Sequence, residues 1–293
     1  MYDIKGYYDA ETVSEAAAML AENSDLKLIA GGTDVLIKMH GGQLEEAELL
    51  SLRKIKSLES IRVADDGTLV IGAMATFSMI FNNPILREVI PILTQAAVSM
   101  GGPQIRNIAT IGGNVCNGAT SADSASSLFA LNARLKLQHK NGERIVPIRE
   151  FYLGPGKVAL NPGEILTEIL ILPEDYKGFG GQYIKFAMRE AMDIATLGVA
   201  AVCKLQSGYF AEVRIGLGVA GPTPLRCLEA EEYAKGKPVS SETLAEIGKL
   251  AVKSTKARTS WRASKEYREH LVEELTQRAL KIAIVNAGGA ELV

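Results

Sequence analysis

The chain has 293 residues, long for a single core when domains typically run about 100–200 residues, so two domains are expected. A hydrophobic share of 47%, a charged share of 23% and a net charge of −2 suit a globular protein and exclude a global attraction to nucleic acid or an anionic membrane. No apolar stretch reaches the ~18–20 residues needed to span a bilayer, and Met1-Tyr2-Asp3-Ile4-Lys5 lacks the basic-then-apolar layout of a signal peptide.

Residues 11–22 carry Val13, Ala16, Ala17 and Leu20 at the spacing of one helical face. A short strand over Leu26 to Ala30 stops at Gly31-Gly32, and Lys38 to Gly42 reads as a loop. Strand patterns follow at Leu49–Leu52, Ile61–Val63 and Leu69–Ile71, the last two forming a hairpin about Asp65-Asp66-Gly67. Phe77 to Ser99 reads as helix in two pieces, broken near Pro84 and Pro91. Loops then flank the short apolar run Ile108 to Ile111. A helix-to-strand region runs from Ser124 to Leu137, a turn falls at Asn141-Gly142, and Gly163 to Leu172 is β-rich. Pro173 to Gly181 reads as a linker. Beyond it come strands at Gln182–Ala187, Thr196–Leu205 and Ala211–Val219, then two closing helices. In the last helix Ala263, Tyr267, Leu271, Leu275 and Ala279 form an expected buried stripe, ended by Gly288-Gly289. Short strands and helices interleaved without regular alternation predict an α+β fold.

Metal and disulfide chemistry find little support. Cys116, Cys203 and Cys227 have no C-x-x-C spacing, which fits a reducing, cytoplasmic setting and falls short of the four thiolates of a usual iron–sulfur cluster. His40, His139 and His270 are scattered, so no metal site is expected in this chain. Nor does any acid–base pair or nucleophile stand out, and no catalytic residue is assigned.

The informative motif is Lys27-Leu28-Ile29-Ala30-Gly31-Gly32-Thr33-Asp34. A strand ending in two glycines turns tightly and can present successive N–H groups as a nest for phosphate oxygens, or it can be a plain tight turn. Ala109-Thr110-Ile111-Gly112-Gly113-Asn114 repeats the layout of apolar strand, paired glycines and polar donor. Two such loops could hold a diphosphate from both sides on main-chain donors alone. Gly216-Leu217-Gly218-Val219-Ala220-Gly221 matches the dinucleotide pattern, but Pro222-Thr223-Pro224 follows where a helix must open, so it reads as a glycine-rich strand end. The basic segment Lys253 to Arg268 is interleaved with glutamates and reads as a solvated helical face or a subunit contact, with Trp261 in the core.

Together, Ala-Gly-Gly-Thr-Asp at 30–34 and Thr-Ile-Gly-Gly-Asn at 110–114 resemble the pyrophosphate loops of the molybdenum hydroxylase flavoproteins. That family includes the FAD subunits of bacterial xanthine, carbon monoxide and nicotinate dehydrogenases. The likeness spans the chain, through Gly102–Asn107, Thr120–Ser124 and Met188–Ile194. Pro222–Cys227 and Ser260–Arg268 look most like separate-chain xanthine dehydrogenase flavin subunits.

The resemblance implies an FAD-binding domain of the vanillyl-alcohol-oxidase (PCMH-like) type over 1–175, with α+β lobes over about 1–56 and 57–175. It implies a C-terminal domain over 176–293, a small antiparallel sheet with helices, of the CO dehydrogenase flavoprotein type. Lys27 to Asp34 and Ala109 to Asn114 would enclose the FAD diphosphate, with Met100 and Gly101 near the cofactor. Asp123 matches an acidic contact, Leu166 an apolar one, and Lys185 a lysine beside the flavin, whose cation would tune its potential. Arg189 to Asp193 would lie where a nicotinamide approaches. Fused members carry acidic residues where this chain has Ala191 and Met192, which leaves the acceptor, NAD or another, open. The implied activity is electron relay: a large molybdenum-cofactor subunit oxidises substrate, a small subunit with [2Fe–2S] clusters carries electrons, and FAD here passes them to NAD. The alternative within the family is a flavin subunit for another substrate, such as nicotinate, an aldehyde or carbon monoxide, and a non-catalytic structural subunit is the alternative from another class.

Overall fold

The computed structural model describes residues 3–292. The N-terminal part is a parallel three-stranded sheet. Strand β1 (Ile4–Asp9) leads through helix α1 (Val13–Glu22) to β2 (Lys27–Ile29), then through α2 (Val35–His40) to β3 (Ala47–Ser51), in the order β1-β3-β2. Thr12 starts α1 by accepting the N–H of Glu15, and the small Ala16 and Ala17 bring the helix close to Leu50, Leu52 and Ile55. The loop expected at Lys38 to Gly42 is mostly the end of α2, because Val35, Leu36 and Met39 pack with Leu49 and hold the turn helical.

The middle part is an antiparallel sheet wrapped by helices. It runs β4 (Ile61–Val63), β5 (Leu69–Gly72), α3 (Phe77–Asn82), α4 (Pro84–Val89), α5 (Pro91–Ser99), α6 (Pro103–Arg106), α7 (Ile111–Cys116) and α8 (Asp123–Ala130). Then come β6 (Arg134–His139), β7 (Gly142–Pro147), α9 (Ile148–Phe151), β8 (Tyr152–Gly154), β9 (Lys157–Val158) and β10 (Ile165–Ile171). The sheet order is β4-β5-β10-β6-β7. Phe77 to Ser99 forms three helices rather than two, since each proline begins a new helix at its first position, after Asn83 and after Ile90.

Residues 173–181 are not a linker. They form the short helix α10 (Pro173–Tyr176) and the start of β11 (Gly180–Phe186), and Asp175 is buried in an ion pair with Arg214 at 3.0 Å. β12 (Leu197–Gln206), β13 (Tyr209–Gly218) and β14 (Leu225–Arg226) complete an antiparallel sheet in chain order. Helices α11 (Leu228–Ala234), α12 (Ser241–Lys253) and α13 (Lys265–Asn286) follow, one more than expected, because α11 is only two turns long. Both faces of β12 are buried: Leu197, Val199, Ala201 and Cys203 face the closing helices, while Ala200 and Val202 join the core of the middle part. A Cβ on Gly216 would lie 2.1 Å from the Ser126 carbonyl oxygen, so a bare strand backbone is what lets α8 lie on β13.

The buried stripe of α13 is Leu271, Leu275 and Ala279 as expected, widened by Val272, Leu280, Ala283 and Ile284. Tyr267 is exposed and Ala263 lies ahead of the helix, so the stripe starts later. Trp261 is 75% exposed rather than core. Among the described residues no helix is long and apolar enough to cross a membrane.

Candidate cofactor site

The two glycine motifs meet. A Cβ on Gly31 would stand 2.2 Å from the Ile108 carbonyl oxygen and 3.0 Å from Ala109 Cα, so the loop after β2 lies backbone against backbone on the entry to α7. Among the described residues, none of the main-chain N–H groups of Gly31, Gly32, Thr33 and Asp34 has a protein acceptor. Four consecutive unpaired donors form a nest for an anion.

The second loop is built differently from its sequence reading. Ile111 to Cys116 is the helix α7, not a strand end, and its N–H groups are already engaged. Ile111 donates to the Ala75 carbonyl oxygen (3.0 Å), Gly112 to that of Ala73 (2.9 Å), and Gly113 to Thr110 Oγ1 (3.2 Å). Gly112 serves packing, since a Cβ there would lie 2.6 Å from that of Ala73. What α7 offers is side-chain chemistry. Thr110 keeps a hydroxyl proton to donate, and Asn114 keeps its amide N–H groups because its Oδ1 accepts from Ser124 (2.7 Å).

Asp123 and Lys185 come together 2.9 Å apart, both about nine-tenths buried. Asp123 opens α8 and Lys185 lies on β11, so the packing of α8 on the C-terminal sheet makes the pair. Lys185 also donates to the Ser99 carbonyl oxygen (3.0 Å), and Tyr183 Oη donates to Asp123 (3.3 Å). Burial raises the Asp123 carboxyl above its ordinary value while the Lys185 ammonium opposes it. Burial and the Asp123 charge push the Tyr183 phenol well up, so it remains a donor. The Lys185 cation is thus half of a neutral pair rather than the lone charge expected beside a flavin.

This pair borders a cavity of about 400 Å³ lined by Ser99, Tyr183, Lys185, Phe186 and the loop from Ala187 to Asp193. Arg189 and Asp193 tie that loop to itself at 3.5 Å, and the Met192 sulfur reaches to 3.4 Å from where a Cβ on Gly102 would stand. Met100 and Gly101 adjoin it, their carbonyl oxygens held by Arg106 Nη1 at 3.1 Å each. A second cavity of about 400 Å³ lies beside the first loop, lined by Lys27, Leu28, Val35, Lys38 and Pro162 to Glu164. Leu166 is buried in β10 within the core and lines neither cavity.

Residues 2–174 match the model of the FAD binding domain in molybdopterin dehydrogenase, and 182–283 that of the CO dehydrogenase flavoprotein C-terminal domain. The chain belongs to the FAD-binding subunits of the molybdenum hydroxylases. It is 44% identical over 289 residues to the putative xanthine dehydrogenase FAD-binding subunit of Escherichia coli K12, covering 99% of each chain. It is 33% identical to the nicotinate dehydrogenase FAD-subunit of Eubacterium barkeri, over 81% of this chain and 82% of that one. The solved carbon monoxide dehydrogenase of Hydrogenophaga pseudoflava contains a chain that superposes with a TM-score of 0.92 at 30% identity, covering 98% of this chain and 99% of that one.

Several residues around the site of this flavoprotein subunit escaped sequence reasoning. Tyr183 shares a strand face with Lys185 two residues on, a period-2 signal that was available. Ser99 and Arg106 act through carbonyl groups and leave no such trace. Lys38, read as loop, donates to Asn117 (2.9 Å) and so ties α2 to the residue after α7.

Proposed function

We propose that this chain is the FAD-binding electron-transfer subunit of a xanthine dehydrogenase, taking electrons from [2Fe–2S] clusters of a small partner and passing them to NAD. Substrate is oxidised at the molybdenum cofactor of a large partner, in the cytoplasm. The observation that carries this reading is the nest of unpaired N–H groups from Gly31 to Asp34, pressed against the Ile108–Ala109 backbone where no side chain fits. A structural subunit without a cofactor has no use for those unpaired donors or for buried Lys185 and Asp123.

The roles divide by chemistry. Gly31 to Asp34 hold the diphosphate on main-chain donors, and Thr110 and Asn114 add side-chain donors from the facing helix. Lys27 and Leu28 line the cavity for the adenosine end, with Met100 and Gly101 nearer the flavin, and Leu166 supports this region from the core. When bound, FAD supplies the two-electron chemistry and hydride transfer that no side chain here provides. Asp123 and Lys185 fix a neutral, hydrogen-bonded edge at the cavity. The loop from Ala187 to Asp193 shapes where an acceptor enters. The FAD-binding part covers 1–175 and the C-terminal part 176–293.

An absorbance spectrum of the purified chain tests this. Bands near ~370 and ~450 nm that bleach with NADH support the reading. Bands indifferent to NADH remove NAD as acceptor, and a colourless chain that takes up no FAD overturns the proposal. The 33% identity to a nicotinate dehydrogenase subunit favours a second reading, a flavin subunit for another substrate. Xanthine turnover by the assembled complex decides between them.

A further inference from the structure

Asp123 and Lys185 are both titratable and both buried, whereas a merely neutral edge needs no ionisable group at all. The Asp123 side chain is 8% exposed and bound on both oxygens: Oδ2 accepts from Lys185 Nζ (2.9 Å) and Oδ1 from Tyr183 Oη (3.3 Å). Burial works against its charge, and the Lys185 ammonium holds it ionised. Lys185 Nζ carries three protons. Two go to Asp123 and to the Ser99 carbonyl oxygen (3.0 Å), which leaves one for the cavity that Lys185 lines.

The elements packed on α8 bring little other charge to the carboxyl. Helix α5 carries no charged side chain, and α7 brings the Cys116 thiol, pushed up to about 12 by burial. β12 and β13 meet the first turn of α8 through Gly198, Gly216 and Gly218, close to Ser126. Arg226 of β14 reaches the far end of α8, at the Phe129 carbonyl oxygen (3.1 Å). Tyr183 keeps its phenol proton, since burial and the Asp123 charge push it well up. Across the cavity, Arg189 and Asp193 are tied to each other at 3.5 Å on the exposed loop that also carries Glu190.

Two electrons entering a cofactor in that cavity bring negative charge within reach of Lys185. The ammonium is then drawn to the new charge, and a carboxyl left in a dry site is more stable with a proton than with a charge. We propose that Asp123 takes up one proton from water each time the cofactor beside Lys185 is reduced and releases it on reoxidation, so that the pair alternates between neutral and singly positive. The step in the protein is one O–H bond. Asp123 Oδ2 accepts a proton from Lys185 along their hydrogen bond, Nζ recovers one from water at the cavity, and both electrons stay on the cofactor. The inference rests on the reading of an FAD site beside Lys185.

Spectroelectrochemical titration of the FAD-loaded full chain against pH counts the protons, because each proton taken up by a two-electron couple lowers the midpoint by about 30 mV per pH unit. The wild type is expected to fall more steeply than Asp123→Asn by that amount, one proton more per flavin. Its reduced-minus-oxidised infrared spectrum should show a protonated-carboxyl band that shifts in heavy water and is missing in Asp123→Asn. Lys185→Met has no ammonium to be drawn away and should lose the additional slope too, a check that does not depend on the asparagine variant holding FAD. Equal slopes in the wild type and either variant, or a band that survives in Asp123→Asn, overturn the inference and leave the FAD site standing. A chain that takes up no FAD shows no flavin bands at any potential, and overturns the site together with the inference.

Discussion

Asp123 and Lys185 lie 2.9 Å apart and largely out of water, and the two halves of the pair answer substitution unequally. In Lys185→Met the carboxyl, already raised by burial, loses the charge that opposed the shift and is pushed further toward its neutral, protonated form. In Asp123→Asn the ammonium has no such escape and remains as a lone cation. Redox titration of the FAD-loaded chain is therefore expected to show a raised flavin potential in Asp123→Asn, by about 30 mV or more, and a smaller change in Lys185→Met. Equal and opposite shifts would contradict the neutral-pair account. Lys185→Met should also lose stability as pH rises above 3.8, because there the unfolded chain releases a proton that the folded Asp123 retains. At Gly31 the argument is steric. Gly31→Ala places a methyl 2.2 Å from the Ile108 carbonyl oxygen, and overpacking of this kind costs about 1–3 kcal/mol. The variant should purify with little or no flavin absorbance; full FAD content would show that the two loops can separate without harm.

Among the elements, α8 links the C-terminal sheet to the site, since Asp123 is its first residue and Gly216 of β13 is its seat. Gly216→Ala should therefore loosen FAD far from any cofactor contact, read as a raised FAD dissociation constant together with a lowered melting temperature. The segment before β10 is pinned differently. Arg144 grips Glu164 with two hydrogen bonds of 2.6 and 2.8 Å and also donates to the Ala159 carbonyl oxygen (2.7 Å), fixing one wall of the second cavity. The Arg144 guanidinium holds the Glu164 carboxyl below its ordinary 4.5, so its contribution is complete above pH 4.5 and is lost as pH falls through the lowered value. Glu164→Gln should cost about 2 kcal/mol in urea unfolding at neutral pH, with the gap to wild type closing in acid.

Elements with local signals were legible in sequence: the apolar face of α1, the β4–β5 hairpin and the strands β11 to β13. Helix α7 was not, because Ile111-Gly112-Gly113-Asn114 is poor helix sequence and is held by Ala73 and Ala75, residues distant in the chain. The Lys27–Asp34 loop was legible as a candidate nest, whereas Asp123 and Lys185, 62 residues apart, were reached only through family likeness.

For the whole molecule, the cradle draws on separate parts: β2 and α2 from the parallel sheet, α7 and α8 from the middle part, and β11 from the C-terminal sheet. A ligand that touches all of them stabilises their mutual packing in proportion to how many it reaches. On the proposed reading FAD would span the second cavity, the nest at Gly31–Asp34 and the edge beside Lys185, while FMN, with no adenosine and one phosphate, would reach only part of that path. Saturating FAD should therefore raise the melting temperature of the flavin-free chain by several degrees, since ligand at 100 times its dissociation constant adds about 2.7 kcal/mol. FMN at the same concentration should shift it far less. Lys27 and Leu28 line the second cavity, proposed for the adenosine end, so blocking it with Leu28→Trp should reduce the FAD shift to the FMN level and leave the FMN shift in place. Equal shifts for both flavins in the wild type would mean that the cavity beside Lys27 and Leu28 takes no part in holding the cofactor, and that the grip lies on the flavin and its first phosphate alone.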